Sequence, residues 1–471
     1  MANKNDKLGT APVGKLLFSL ALPSIIAQLV NMLYNIVDRI YIGRIPGVGS
    51  TALAGLGVTF PVLMLIAAFS CLVGMGGAPR ASIKMGEGDH EGAQRIMGSC
   101  FVTLLAFSVI LTGVFLVFSD KLLLIFGASA DTLPFASGYM KIYVCGTVFV
   151  QLALGMNPFI SAQGYATSSM LTVLIGAALN IALDPLFIFV FGLGIQGAAI
   201  ATVISQAVSA VYVVWFLCRR KTKIRLHFRY MRFYPKIMLP VMALGVSPFI
   251  MQSTESLLLI CFNTSLQAYG GTLAIGAMSI LSSVMQVLSM PLMGLTQGAQ
   301  PIISYNYGAG NNERVRRAFK LLFISAVSFA GIFWLAVMLF PGLFASLFTG
   351  DQQLISFASW AMRIYLGTCF MLGIQNACQQ TFVALGKASS SLFLALLRKI
   401  ILLIPLIYIF PLFFEDKVFA VFFAEPVADF LAATTTLIMF LLQFKKILRN
   451  NPHHQMVETI EMTPKLPGED G

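Results

Sequence analysis

Asp38 and Asp184 are the residues best placed to do chemistry, because each interrupts a run of otherwise apolar residues. The stretch "NIALDPLFIF" (180–189) sets Asn180 one helical turn before Asp184. Gln28, Asn31, Asn35 and Asp38 recur at i, i+3, i+7 and i+10. In a helix that spacing puts all four on one face about 80° wide. Thr202, Ser205, Gln206 and Ser209 form a third stripe. Two carboxylates gathered away from water repel each other and lose solvation, so a proton or a Na⁺ ion must reduce their charge. The chemistry expected is a reversible exchange of H⁺ or Na⁺ at Asp38 and Asp184, with Asn180 and Thr202 positioning them. A Na⁺ would sit at Asp38, Asn180 and Asp184. No catalytic residue is expected, and no cofactor beyond the coupling ion.

The elements that carry these groups are read as membrane spans. Of 471 residues, 58% are hydrophobic and only 11% are charged, too few to cover a soluble surface. Twelve apolar segments lie near 16–40, 52–75, 96–118, 134–156, 168–191, 195–217, 237–262, 273–296, 318–341, 355–377, 391–412 and 417–442. Each is close to the roughly 20 residues that cross a bilayer as a helix, whereas a barrel strand needs about ten. The expected fold class is therefore an all-α integral membrane protein. Met1 to Lys15 is polar and the first apolar run is long, so no cleavable signal peptide is read.

The formal charge of +12 suggests nucleic acid until its positions are read. Lys4, Lys7, Lys15, Arg80, Lys84, Arg95, Arg314, Arg316, Arg317, Lys320, Lys445, Lys446, Arg449 and the stretch "RRKTKIRLHFRYMRFYPK" (219–236) share one side. Arg44, Lys121 and Lys417 are among the few on the other. That bias is the positive-inside rule: both termini are expected in the cytoplasm of a multi-pass cell-membrane protein whose partners are lipid and small molecules, not nucleic acid or nucleotide. The chain is read as a monomer.

The basic stretch divides the spans six and six, and the halves resemble each other. "PRASIKMGEG" (79–88) and "PIISYNYGAG" (301–310) align Pro79 with Pro301, Ser82 with Ser304, Gly86 with Gly308 and Gly88 with Gly310; Glu91 and Glu313 follow. Gln28 matches Gln252, and Asn31 matches Glu255. An even number of spans per half makes the repeats parallel, a plan found in transporters that bind substrate between or within the halves. The organisation expected is an N-lobe (1–218), a basic cytoplasmic linker (219–236), a C-lobe (237–445) and a disordered polar tail (446–471).

A charge at membrane depth costs roughly 2.5–3.5 kcal/mol, so it should face a cavity. Interhelical hydrogen bonding accounts for single Ser, Thr and Asn residues, but does not require Asp38 or Asp184. In the second half the polar groups are mostly neutral, apart from Glu255. Gln28, Asn31, Asn35, Gln252, Gln286, Gln375 and Gln379 are read as cavity residues, with Tyr34, Met156, Met285 and Met293 as an adaptable lining for varied flat ligands. Glu255 would balance a cationic substrate. The acids cluster in the first half, so one lobe is expected to handle the ion, and Pro23 is the natural bend point of the first span.

Other motifs fail on context. "GTAPVGKL" (9–16) ends in Leu and follows no strand, so it is no phosphate loop. "DRIYIGR" (38–44) and "GEGD" (86–89) lie in the wrong places for the major-facilitator loop and the intramembrane aspartyl protease that they suggest. Seven single cysteines form no CxxC pair, and the four histidines fall in loops or the tail.

"LP" (22–23) followed by "VD" (37–38), "NIALDPLFIFVFGLGIQGAAIAT" (180–202) and the paired PxxSxxxGxG loops resemble the multidrug and toxic compound extrusion (MATE) family over about residues 10–445, closest in style to its bacterial multidrug branch. The resemblance implies twelve helices in two six-helix lobes arranged as a V, exporting organic cations and drugs in exchange for H⁺ or Na⁺. It also implies ion-site roles for Asp38, Asn180, Asp184 and Thr202, a bend at Pro23, and a cation- or substrate-binding role for Glu255. Ile374 stands where some Na⁺-coupled members carry an acid, which argues against a C-lobe Na⁺ site. The competing readings are a flippase for lipid-linked saccharides, which needs a strongly basic cavity, and a channel or sensor. Arg398 and Lys399 are read as lying near a cytoplasmic end. No cluster with catalytic spacing suggests an enzyme.

Overall fold

Residues 7–220 and 222–452 are described by a computed structural model. Among them, twelve helical spans carry the chain, each built around one of the apolar segments. They begin with α1 (Val13–Gly43), α2 (Gly49–Gly86), α3 (His90–Ile125) and α4 (Leu133–Cys145 and Thr147–Ala162). Next come α5 (Ala166–Pro185, continued by a π-helical turn, Leu186–Val190) and α6 (Gly194–Cys218). A 74-residue helix, Pro235–Gly308, is divided at Gly271 (φ 61°, ψ −155°) into α7 (235–270) and α8 (272–308). The rest are α9 (Asn312–Leu339), α10 (Gln352–Tyr365 and Met371–Ala384), α11 (Ala388–Leu396, π-helical Leu397–Leu403 and Ile404–Phe413) and α12 (Lys417–Arg449).

The helices outrun the apolar segments that define them. The 38 residues of α2 rise about 57 Å, against a hydrocarbon core of about 30 Å. The excess ends in polar caps: Asp89 Oδ1 accepts from Gly92 N at 2.7 Å, and Asn311 Oδ1 accepts from Arg314 N at 3.1 Å. α12 likewise runs to Arg449, so Lys446–Arg449 continue a helix and do not begin a tail. Residues 453–471 of the expected tail lie outside the described residues. The basic linker folds back on its lobe: Ile224 N donates to Gln163 Oε1 at 3.1 Å, and Leu226 N to Leu217 O at 3.0 Å.

The internal repeat is visible in three-dimensional detail. α4 bends by 59° at Gly146, and α10 breaks over residues 366–370. Carbonyls freed at such breaks need donors inside a membrane. Val144 O accepts from the Thr147 and Thr112 hydroxyls at 2.7 and 3.1 Å, and Gly367 O accepts from Trp334 Nε1 at 2.8 Å. The fifth span of each half, α5 and α11, contains a π-helical segment beside a proline, Pro185 in one and Pro405 in the other. Without its N–H, Pro185 cannot bond Ile181 O, and the ladder resumes with an i−5 bond, Phe191 N to Leu186 O at 2.9 Å.

The repeated PxxSxxxGxG loops join the halves. Ser82 Oγ donates to Ala162 O at the end of α4 (3.5 Å), and Ser304 Oγ to Ala384 O at the end of α10 (2.7 Å). Gly86 lies against the Tyr305 carbonyl and Gly308 against the Ile83 carbonyl, so a Cβ on either would strike the other half. Gly76 and Gly245 press α2 onto α7, while Gly294 and Gly298 press α8 onto α1. Every one of these glycines lies in the half of its span nearer the two termini. The lobes therefore meet on the terminus side, and the stripes of Asn31, Asn35, Asp38 and Glu255 begin beyond that seal.

Candidate functional site

The N-lobe stripes converge. Asn180 and Asp184 on α5 are buried (2% and 0% exposed), and Asn180 Nδ2 donates to Asp184 Oδ1 at 3.2 Å and to Thr202 Oγ1 on α6 at 3.3 Å. Thr202 in turn donates to Ala198 O at 2.9 Å, which leaves its oxygen free to accept. Asp38, from the far half of α1, brings its carboxyl within hydrogen-bonding reach of that of Asp184. The neighbouring cation, Arg39, lies over the Phe60 ring at 5.6 Å.

Asp38 Oδ1, Asn180 Oδ1 and Asp184 Oδ2 are buried and have no hydrogen-bond partner among the described residues. Two carboxyl oxygens and one amide oxygen form a hard-oxygen set that suits a proton shared between the acids or a Na⁺ ion. Tyr34 and Tyr139 lie near the pair: Tyr34, one turn before Asp38 on α1, shares the cavity wall with Asn180 and Thr202, and the buried Tyr139 interacts electrostatically with Asp38. Tyr139 was not singled out in the sequence. It lies in the first segment of α4, an apolar stretch where one tyrosine looks like any other.

Asn180 and Thr202 also belong to the wall of a cavity of about 50 Å³ lined by Asn31, Tyr34, Asn157, Ser205, Gln206 and Ser209. That volume accommodates an ion with a water or two, far below the roughly 300 Å³ at which drug-sized sites begin.

The other candidates separate. Gln28 Nε2 donates to Gln297 Oε1 at 3.1 Å and Gln252 Nε2 to Met64 Sδ at 3.1 Å, so both bridge the lobes. Asn35 is exposed and bonds its own helix at Asn31 O (2.7 Å), and Gln286 is exposed on α8. Met293 is half-buried, and Met285 packs against the apolar core. Met156 is a correction: it is 0% exposed inside that core with Phe159 and Ile160, a packing residue and not a cavity lining. Pro23 lies within an unbroken α1, where Ser24 Oγ bonds Leu20 O at 2.9 Å.

The second lobe is more charged than its sequence suggested. Gln375 and Gln379 line a small cavity with Met251, Asn376, Arg398 and Lys399, and Gln375 Oε1 is buried without a partner among the described residues. Arg398 Nε donates to Asp429 Oδ1 at 2.6 Å and Arg398 Nη2 to Glu425 Oε1 at 3.1 Å. Lys399 pairs with Glu255. Arg398 and Lys399 therefore do not lie near a helix end: they occupy the π-helical part of α11, about 15 Å along it, and hold three carboxylates. The spacing of Glu425 and Asp429, one turn apart in the apolar α12, was the available signal. Ile374 sits in an apolar cluster with Phe382 and Phe440.

The MatE family model matches residues 23–186 and 248–409, one stretch in each lobe. The chain is 25% identical over 420 residues to the multidrug export protein MepA of Staphylococcus haemolyticus (strain JCSC1435), covering 89% of this chain and 92% of that protein. It is 26% identical over 435 residues to MepA of Staphylococcus aureus (strain N315), covering 92% and 95%. A solved structure described as the outward-facing conformation of a multidrug resistance MATE family transporter of the MOP superfamily superposes with a TM-score of 0.87 at 22% identity, covering 96% of this chain and 100% of that one. At that identity the likeness speaks for the fold: twelve helices in two lobes.

Proposed function

Because the chain belongs to the MatE family, a family of transporters and not of enzymes, we propose that it is a secondary antiporter that exports amphipathic organic compounds, organic cations among them, in exchange for H⁺ or Na⁺. The multidrug export activity named for the MepA relatives supports the substrate class. The observation that carries the ion exchange is the set of three partnerless buried oxygens, Asp38 Oδ1, Asn180 Oδ1 and Asp184 Oδ2.

With the basic, terminus-side face in the cytoplasm, the glycine seal closes the inner side between the lobes, and the exposed Asn35, Glu255 and Gln286 lie outward of it, where we place the open cleft. In this state the acids take up a proton or Na⁺ from outside. Charge neutralisation removes the repulsion between Asp38 and Asp184, lets α1 and α5 approach, and alters the packing of α1 around Pro23. The change is passed to α8 through the Gln28–Gln297 bridge, and the lobes reopen inward, where the ion leaves and substrate binds. A flippase for lipid-linked saccharides is disfavoured, because Arg398 and Lys399 are outnumbered by Glu255, Glu425 and Asp429 and offer no net positive site for a pyrophosphate.

The test is efflux of an ethidium-type dye from inverted vesicles without ATP, under an imposed pH gradient or an imposed Na⁺ gradient. Dye movement driven by either gradient supports the antiport. Dye movement under neither overturns it.

A further inference from the structure

Glu255, the C-lobe acid offered to a cationic substrate, is already occupied. Lys399 Nζ donates to Glu255 Oε1 and, at 2.7 Å, to the carbonyl of Met251 one turn earlier on α7. The Lys399 side chain is 4% exposed, whereas that of Glu255 is 59% exposed. Gln252, three residues before Glu255 and on the same helix face, reaches Met64 of the other lobe. The open edge of the carboxylate therefore borders the cleft, while the ammonium closes its inner edge. Beside the pair lies the small cavity with the buried, partnerless Gln375 Oε1.

We propose that Lys399 is a specificity-determining residue: as an internal counter-cation on Glu255, it selects amphiphiles that bring both a cation for Glu255 and an acceptor for Lys399 over plain organic monocations. A monocation that took Glu255 would leave the buried ammonium with no carboxylate in contact, only the Met251 carbonyl and the more distant Glu425 and Asp429, which Arg398 already holds, and that is a less favourable setting for it. A zwitterion exchanges one internal ion pair for two external ones, so every charge keeps a partner. Arg398 cannot receive the substrate's anion in place of Lys399, because Asp429 and Glu425 already hold it. Lys399 can, because its bond to the Met251 carbonyl anchors it while Glu255 turns outward, and an ammonium has a third donor to spare. Gln375 Oε1 supplies a further acceptor for the substrate's ammonium group.

The inference rests on the antiport reading and deepens it by naming the substrate class. Its test is read by binding, so the two fail separately. The probes are one fluorescent aromatic scaffold carrying an amine and a carboxylic acid, and its methyl ester, which keeps only the cation. Affinities are measured on the purified full chain in lipid nanodiscs by fluorescence anisotropy. Wild type is expected to bind the zwitterion about tenfold more tightly than the ester. Lys399→Met brings the ratio to about one or inverts it, and Lys399→Arg keeps it. If Lys399→Met does not fold, Lys399→Met/Glu255→Gln, which leaves no lone charge, must also lose the preference. Wild type binding both probes equally, or a ratio unchanged in the Met variants, overturns the proposal. Transport of the same probes in vesicles under either gradient reads the antiport alone.

Discussion

Asn180 donates one amide hydrogen to Asp184, one turn along α5 at 3.2 Å, and the other to Thr202 on α6 at 3.3 Å. A single side chain thus fixes the orientation of one acid of the pair and ties it to the neighbouring helix, while its own oxygen, like Asp38 Oδ1 and Asp184 Oδ2, is buried with no hydrogen-bond partner among the described residues.

Asn180→Leu removes both donors and that oxygen while roughly keeping the volume. Hydrogen bonds to charged groups contribute about 1.5–3 kcal/mol and favour the ionised form of Asp184, so for H⁺ the concentration giving half-maximal uptake should fall about 10- to 100-fold, whereas for Na⁺, which loses the Asn180 oxygen as a ligand, it should rise. Dye binding stays near wild type. An unchanged ion dependence, measured as initial efflux rate against pH or Na⁺, would show that Asn180 is only packing.

The glycine seal gives a second expectation. A Cβ at Gly86 meets the Tyr305 carbonyl and one at Gly308 meets the Ile83 carbonyl, both backbone atoms that cannot swing away. Gly86→Ala and Gly308→Ala should each destabilise the chain by about 1–3 kcal/mol in thermal unfolding. Gly113→Ala, which meets nothing within 4 Å on α3, should be neutral or slightly stabilising. Equal effects at all three positions would mean that the lobes do not press together there.

Arg398 clamps two buried carboxylates, Asp429 and Glu425. Arg398→Met leaves both without their hydrogen-bonded counter-charge and should cost about 3–5 kcal/mol of stability. The triple variant Arg398→Met/Glu425→Gln/Asp429→Asn removes the stranded charges and should recover most of the loss. The readout is again thermal unfolding, and a triple variant no more stable than the single one would contradict the clamp.

The sequence made some of this legible for physical reasons and hid the rest for others. A bilayer forces long apolar runs and turns polar groups inward, so the spans and the polar stripes carrying Asp38, Asn180, Asp184 and Thr202 could be read from periodicity, and their convergence from the need of intramembrane charges for a shared cavity. The paired loops could be read because Gly86 and Gly308 do the same job twice. The C-lobe network could not be read in the same way. Lys399 meets Glu255 across 144 positions, and Arg398 meets Glu425 across 27, and no helical period links partners on different spans. Glu425 and Asp429, one turn apart in α12, carried the same signal as Asn180 and Asp184. The residues around Arg398 and Lys399 carry no mark of these partners, which lie on other spans. Met156 was misplaced because methionine fills cores and lines cavities with the same chemistry.

The central claim is that Asp38 and Asp184 trade their charge for the coupling ion. It is tested most directly by gradient-driven dye efflux in Asp38→Asn and Asp184→Asn, each measured beside its dye affinity. Each variant should bind dye within about twofold of wild type yet lose at least about 90% of the efflux driven by the coupling ion, since removing a charge that must be neutralised each cycle ends the coupling. Full ion-driven efflux in both variants would contradict it.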